Sequence, residues 1–493
     1  MQKPAFNLEA FEIKEVGVVR EIKGGIVKIH GLPNCIYGQL IEFSGTDRKG
    51  LVIDFNDKEV MAFILGDEKD IILGSMVVSR NEVFSLSVGE SFLGRIISAI
   101  GEPLDDVHKP LEGDTLCPVF RRAPGMLDRV PIFEQFFTGS KILDLTIPIG
   151  KGQRELIIGD RQSGKSTIAL DAIINQKGKG VVCVYCWCGG PYASLTKVIR
   201  TLQEAGAMDY TIVVAASASA SAGEQYLAPY VAAAVGEYFM YSGRHSLVVM
   251  DDLTKHAWMY RELSLLLERS PGREAYPGDI FYLHSQLMER AGLLNEENGG
   301  GSMTFLPIVE TLQGDITGYV QSNLVSMTDG QIYISTSLFH EGFKPAVDLG
   351  LSVSRIGSKV QSKALREVAS TLRLDYAQYK ELVRLMRVRT KLSTEISEKM
   401  RRGATLTHLF VQEAHKPVDE LTMIVFFYAF QRNILEILSA DGLNVFCENI
   451  MSYLKKSRLE VMKDLSEKKE LTADIKEGLD RTFVDFFREK KIV

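Results

Sequence analysis

Gly159-Asp160-Arg161-Gln162-Ser163-Gly164-Lys165-Ser166 has the residue types and spacing of a phosphate-binding loop, G-x-x-x-x-G-K-[ST]. The chemistry follows from the residues. A glycine-hinged loop turns backbone N–H groups inward around phosphate oxygens, and the helix that opens there adds the positive end of its dipole. Lys165 is placed to reach the β- and γ-phosphates, and the Ser166 hydroxyl to ligate Mg2+. The flanks agree with this: the apolar run Glu155-Leu156-Ile157-Ile158 precedes the loop and Thr167-Ile168-Ala169-Leu170 follows it, which gives strand, loop, helix. The ligand class is therefore a nucleoside triphosphate or diphosphate with Mg2+.

A second element of such a site is an acid at a strand end. Ser246-Leu247-Val248-Val249-Met250-Asp251-Asp252 is a hydrophobic strand closing on carboxylates. Asp251 is the expected Mg2+ partner, while Asp252 fits equally well as the cap of the following turn. Glu310, at the end of another strand candidate, is expected to be a structural carboxylate rather than a nucleotide contact.

These motifs need a sheet to hold them. From about Gly152, strand candidates Glu155–Gly159, Gly180–Trp187, Thr211–Ala216, Ser246–Asp251, Thr304–Glu310 and Gln331–Ser335 alternate with helical stretches such as Glu224 to Met240. That alternation implies an open parallel sheet covered on both faces, with ligands at the carboxyl ends of its strands. Before it, from Val16 to about Leu86, short β-type runs separated by Gly, Asp and Asn suggest a small barrel. A Gly/Pro-rich stretch through Gly101-Glu102-Pro103-Leu104 and Arg122-Ala123-Pro124-Gly125 reads as an extended linker. After about Val360 strand signals stop, and Ala364 to Lys399, Leu421 to Leu438 and Met451 to Val493 are helix-prone. The expected fold is multidomain: an N-terminal small β-barrel over residues 1–86, a central α/β P-loop (RecA-like) nucleotide-binding domain over 87–360, and a C-terminal α-helical bundle over 361–493.

Composition bounds the function. The chain has 493 residues, too many for one core. A net charge of −6 gives no basis for a nucleic-acid or anionic-membrane partner. No apolar run is long enough to span a bilayer, and Met1 to Glu9 is mixed and polar, unlike a signal peptide. Of the six cysteines, Cys183, Cys186 and Cys188 crowd one segment. Cys183 and Cys186 have the Cys-x-x-Cys spacing of a metal or redox pair, but no second Cys or His pair stands at zinc-ligand spacing, so a buried parallel strand is the expected reading. Reduced thiols fit a cytoplasm-like compartment.

The motifs together resemble the alpha subunit of the F-type ATP synthase. The resemblance rests on Gln153 to Gln162, on Ser270-Pro271-Gly272-Arg273-Glu274-Ala275-Tyr276-Pro277-Gly278-Asp279, on Phe281-Tyr282-Leu283-His284-Ser285 and on Gly350-Leu351-Ser352-Val353-Ser354-Arg355-Ile356-Gly357. It runs from about Val16 to beyond Pro417. It implies a ring of three alpha and three beta subunits around a gamma-type central shaft, with a delta subunit and peripheral stalk. The whole would sit on the cytoplasmic side of the inner membrane, or the equivalent organelle face, coupled to H+ or Na+ movement through a membrane sector. It also implies ATP or ADP as the nucleotide, and that Arg355 reaches the γ-phosphate held by the neighbouring beta subunit, with Ser352 and Ser354 supporting its loop. Pro345, in Phe343-Lys344-Pro345-Ala346, and Gln412 would lie beside the adenine; a second glutamine of the family is Ala414 here.

Hydrolysis needs a carboxylate to orient water. Related catalytic subunits carry Glu in a Gly-Glu-Arg context where this chain reads Cys188-Gly189-Gly190-Pro191, and alpha subunits usually carry Gln at the position of Gly190. The expected result is a site that binds Mg-ATP and hydrolyses it very slowly. Two other classes share this core. A homohexameric protein-export ATPase would need a Glu near Gly190, and a Rho-like nucleic-acid translocase would need a basic, aromatic-studded surface. Two departures from the family pattern stand out. The barrel begins almost at once after Phe11, which bears on the stalk contact. The usual acidic segment near the shaft is replaced by Lys391-Leu392-Ser393 after Arg384, Arg387 and Arg389, which reverses the local field.

Overall fold

The computed structural model describes residues 15–105, 110–386 and 394–490. Phe11, Arg387, Arg389 and the Lys391-Leu392-Ser393 segment lie outside the described residues. The described residues fall into two compact units, one drawn from Met1–Val130, Gly180–Val309 and Thr317–Met327, the other from Pro131–Lys179, Glu310–Ile316 and Thr328–Val493.

The first unit begins with a closed antiparallel barrel. Its strands are β1 (Glu15–Lys23), β2 (Ile26–Gly31), β3 (Gln39–Phe43), β4 (Lys49–Phe55), β5 (Glu59–Leu65) and β6 (Met76–Val83), in the order β1-β2-β5-β4-β3-β6. Alternate residues point inward, as a two-residue period requires. Val19, Val27, Ile29, Ile41, Phe43, Val52, Val60, Ala62 and Val77 fill the interior. Bulges after Val19 and Val52 help the strands curl to closure.

The same unit holds a parallel sheet in the order Ser302–Thr311, His245–Asp251, Val181–Cys188, Thr211–Ala216, Ile96–Ser98. Every residue of Val181–Cys188 and of Thr211–Ala216 is buried. This is why these segments are continuous apolar runs rather than alternating ones. The clustered cysteines are part of that core. Burial pushes the Cys183, Cys186 and Cys188 thiols up, and no metal-holding cluster of His, Cys, Asp or Glu is found among the described residues. The stretch expected to be a bare linker is more ordered than that: Ile96–Ser98 joins the sheet, and Thr115–Pro118 pairs with Ser85–Val88. These segments are too short for periodicity to reveal.

The long helix Ala222–Tyr241 starts at a capping box in which Ser221 and Glu224 satisfy each other's end groups. Two buried histidines lie beside it. His256 donates from Nε2 to the Tyr226 carbonyl at 3.1 Å, and its Nδ1 meets His284 Nε2 at 3.3 Å. Burial lowers His256 to about 4; burial and the neighbouring ring lower His284 to about 3. Both are therefore neutral at pH 7. The stability they contribute is complete above the unfolded value of about 6.5 and is lost as pH falls from there to about 4 and about 3. For His256 alone the expected loss is about 3 kcal/mol. Urea melts between pH 7 and pH 4 should show it, and the double variant His256→Gln, His284→Gln should flatten the profile.

In the second unit, Leu156–Asp160 runs parallel to Gly330–Ile334, which pairs antiparallel with Val353–Ser354. The helix Lys165–Ile174 follows the first of these strands. The C-terminal part is helical: Lys363–Ala369, Leu372–Met386, Thr394–Phe410, Glu420–Gln431, Ala440–Ser457, Leu459–Lys468 and Ala473–Lys490. Glu420–Gln431 is capped by Asp419, which accepts from Thr422 N, and residues 423–430 are buried without interruption. The Phe446 ring packs with Phe426, Phe483 and Phe486, and the Phe427 ring packs with Phe410. The fold is thus an N-terminal six-stranded barrel, a central α/β nucleotide-binding domain and a C-terminal helical domain. Among the described residues no helix is long and apolar enough to cross a membrane.

Candidate functional site

The phosphate loop is local geometry made rigid. Leu156, Ile157 and Ile158 are buried and fix the strand. The chain then turns through Gln162 at φ 59° and Gly164 at φ 100°, the second a conformation that side-chain-bearing residues rarely adopt. Ser163 Oγ donates to the Asp160 carbonyl at 2.7 Å. Lys165 is buried, and its Nζ donates to the carbonyls of Gly159 and Asp160 at 2.9 and 2.6 Å. A buried ammonium on a glycine-hinged loop, with a helix N-terminus behind it, suits a phosphate chain.

Asp160 anchors the loop. Its carboxylate accepts from Thr311 Oγ1 at 2.6 Å, Gly314 N at 2.8 Å and Thr336 Oγ1 at 3.0 Å. Burial acts to raise its pKa, but these bonds and the Lys165 charge outweigh burial and hold it below the usual value. Arg161 is exposed and pairs with Glu310 at 3.5 Å. Ser166 is the second residue of the helix.

Beside the loop, within the same unit, opens a cavity of about 390 Å3. Gly164, Thr167 and Asp171 form one wall, and Pro345, Gln412 and Ala414 another. The predicted residues Pro345 and Gln412 thus come together with the loop, although the three are far apart in the chain. Gln412 is tightly held. Its Oε1 accepts from Lys141 N at 3.0 Å, and its Nε2 donates to the carbonyls of Gly139 and Lys416 at 2.8 Å each. It shapes the wall and has no N–H left to offer a base. Asp171 was not singled out from the sequence, although it lies four residues after Thr167 and so on the same helix face.

The Arg355 loop belongs to this unit too. Ser352 Oγ donates to the Asp348 carbonyl at 2.6 Å and accepts from Tyr333 N at 2.9 Å, and Ser354 Oγ donates to the Pro148 carbonyl at 2.8 Å. Both serines therefore brace the loop. Arg355 N donates to the Asp329 carbonyl at 2.8 Å, and Asp329 is gripped by Arg154 through bonds of 2.9 and 3.0 Å. The Arg355 residue itself is exposed. Behind it, Glu155 is fully buried and accepts from Gln153 Nε2 at 2.7 Å. Burial, then the Asp329 charge, drive the Glu155 carboxyl well above its usual range; Gln153 and Arg355 only partly oppose this.

Asp251 and Gly190 lie in the first unit. Asp251 ends its strand with its carboxylate accepting from Tyr185 Oη at 2.7 Å. Asp252 takes the capping role: it accepts from Lys255 N at 2.8 Å at the start of the helix Leu253–Leu266 and pairs with Lys255 Nζ at 2.9 Å. At Gly190 a Cβ would stand 2.2 Å from Trp187 Cζ2. The indole fills the volume that any side chain at this position would need, and neither residue is an acid.

Family models match the chain in three successive pieces. They are described as the beta-barrel domain of the ATP synthase alpha/beta family over residues 12–81, its nucleotide-binding domain over 139–354, and the C terminal domain of the ATP synthase alpha/beta chain over 361–486. ATP synthase subunit alpha of Petrotoga mobilis is 44% identical over 488 residues, covering 98% of this chain and 97% of the relative. ATP synthase subunit alpha of Clostridium acetobutylicum is 44% identical over 484 residues, covering 97% and 95%.

Proposed function

The chain belongs to the ATP synthase alpha/beta family, on its alpha-subunit side and as part of the F-type ATPase complex, and from that premise we propose that it binds Mg-ATP without cleaving it and lends Arg355 to a neighbouring beta subunit. The single observation that carries the non-catalytic reading is the strand end at Gly190, where Trp187 occupies the space a water-activating carboxylate would take. The Lys165 ammonium and the loop N–H groups would hold the β- and γ-phosphates, and the Ser166 hydroxyl would hold Mg2+, which supplies charge neutralisation on the phosphate oxygens. Support for the trans role is the braced loop that carries an exposed guanidinium. In the assembly three such chains would alternate with three beta subunits around a gamma-type shaft, with a delta-type stalk. The head would sit on the cytoplasmic face of the membrane and couple nucleotide turnover to ion translocation.

The test is ATP hydrolysis by the purified full chain, alone and mixed with a beta-type partner. Alone it should bind Mg-ATP in calorimetry and show no sustained turnover; the mixture should turn over. Strong activity of the chain by itself would overturn the reading and favour a homohexameric export ATPase.

A further inference from the structure

Two acidic side chains line the cavity beside the phosphate loop, Asp171 and Glu413. Glu413 is solvent-exposed and pairs with Lys416, whereas Asp171 is largely buried and its two oxygens are not equivalent. Asp171 Oδ1 accepts twice from one residue: from the backbone N–H of His415 at 2.8 Å and from its ring Nδ1 at 3.0 Å. No hydrogen bond engages Oδ2 among the described residues. The carboxyl is largely buried, 13% of the side chain being accessible. The helix that presents it starts at Lys165, and Thr167 and Asp171 share the face turned to the cavity. The rest of the lining includes Pro345 and Ala414, which offer no side-chain hydrogen bond, Gln412, whose N–H donors are engaged by backbone carbonyls, and the polar side chains of Ser140 and Lys344.

We propose that Asp171, clamped by His415, is the residue that selects adenine over guanine in this cavity. This deepens the nucleotide-site reading above and rests on it. A largely buried acceptor with a single oxygen available matches a single exocyclic amino group, the 6-amino group of adenine. Guanine puts the lone pairs of a carbonyl at that position, so the carboxylate would face another acceptor and lose its donor. A buried polar group left unpaired is costly, and sites built to bond a substrate N–H discriminate strongly for that reason. Guanine's other edge has two adjacent donors that call for both oxygens of a carboxylate, and here Oδ1 is already doubly occupied by His415. The clamp also fixes the direction of the group: the two His415 donors hold Oδ1, so Oδ2 alone is the acceptor for the base. Burial holds the Asp171 carboxyl above its usual range, and the His415 bonds oppose this only in part.

The experiment is calorimetric binding to the full chain. Wild type should bind Mg-ATP more tightly than Mg-GTP by about tenfold or more. Asp171→Asn keeps an oxygen for His415 and turns the group facing the base into a donor. It should weaken Mg-ATP, leave Mg-GTP unchanged or tighter, and so reduce the ratio by about tenfold or more. Analogues test the same idea without a variant. The triphosphate of purine riboside, which has no 6-substituent, should bind between ATP and inosine triphosphate on wild type. An unchanged ATP-to-GTP ratio in folded Asp171→Asn, or equal binding of ATP and inosine triphosphate by wild type, would overturn the assignment while leaving the nucleotide site standing. Wild-type chain that binds neither Mg-ATP nor Mg-GTP would sink the nucleotide-site reading and the assignment with it.

Discussion

Replacing Arg355 by alanine is expected to lower steady-state turnover of the reconstituted ring by about 10³- to 10⁵-fold and to leave Mg-ATP binding by this chain unchanged. The size comes from the charge that a guanidinium offsets on a transferring phosphoryl group. Its independence from binding comes from the structure: Arg355 is exposed, and its own backbone and neighbours, not the cavity beside the phosphate loop, hold it in place. Ser352, Ser354 and the Arg154–Asp329 pair fix the loop before any partner arrives. Arg355→Lys keeps the charge but loses the planar fork, so it should recover only a minor part of the rate. Turnover near that of wild type in Arg355→Ala would refute the role. Single-turnover measurements on the ring separate the outcomes further, since chemistry should slow while nucleotide uptake does not.

Arg290→Ala should destabilise the first unit by about 3–5 kcal/mol, the largest stability effect expected of a single exchange here. Arg290 is 1% exposed. Its Nε and one terminal nitrogen each donate to Glu237 at 2.7 Å, and the other terminal nitrogen donates to the Val119 carbonyl at 2.8 Å. Removing the guanidinium leaves a carboxylate buried near the C-terminal end of the helix Ala222–Tyr241 with no counter-charge in that geometry, and leaves a carbonyl unpaired. The cost is one of isolation, not of a lost attraction. The double exchange Arg290→Met, Glu237→Leu should therefore recover most of the stability. Urea melts of the three variants decide it: a single variant as stable as wild type, or a double variant no better than the single, would contradict the argument.

The parts of the molecule that were legible in the sequence share a physical cause. A phosphate loop is eight consecutive residues whose turn, charge and hydroxyl are local properties, so spacing alone locates it. Strands buried on both faces are unbroken apolar runs, which is why Thr211–Ala216 was anticipated to the residue and Val181–Cys188 to within one. Ile96–Ser98 was not anticipated, because three residues carry no period and its pairing partner lies more than a hundred positions away. The capping role of Asp252 was also open in the sequence. It depends on where the next helix starts, since the residue at that junction is the one whose side chain can accept from the Lys255 N–H.

Residue type and near spacing were enough to read the ligand class, the order of the three folds and the lack of an acid at position 190. Which groups each side chain meets came from contacts between distant segments of the fold. The tertiary structure committed Gln412 to backbone groups at Gly139, Lys141 and Lys416, set Trp187 against Gly190, buried Glu155 behind the Arg355 loop, and joined Asp171 to His415 across 244 positions. The reason is that a side chain's hydrogen-bond capacity is finite and its burial depends on distant segments. Whether a group is free to meet a ligand is therefore fixed by contacts that local sequence does not encode.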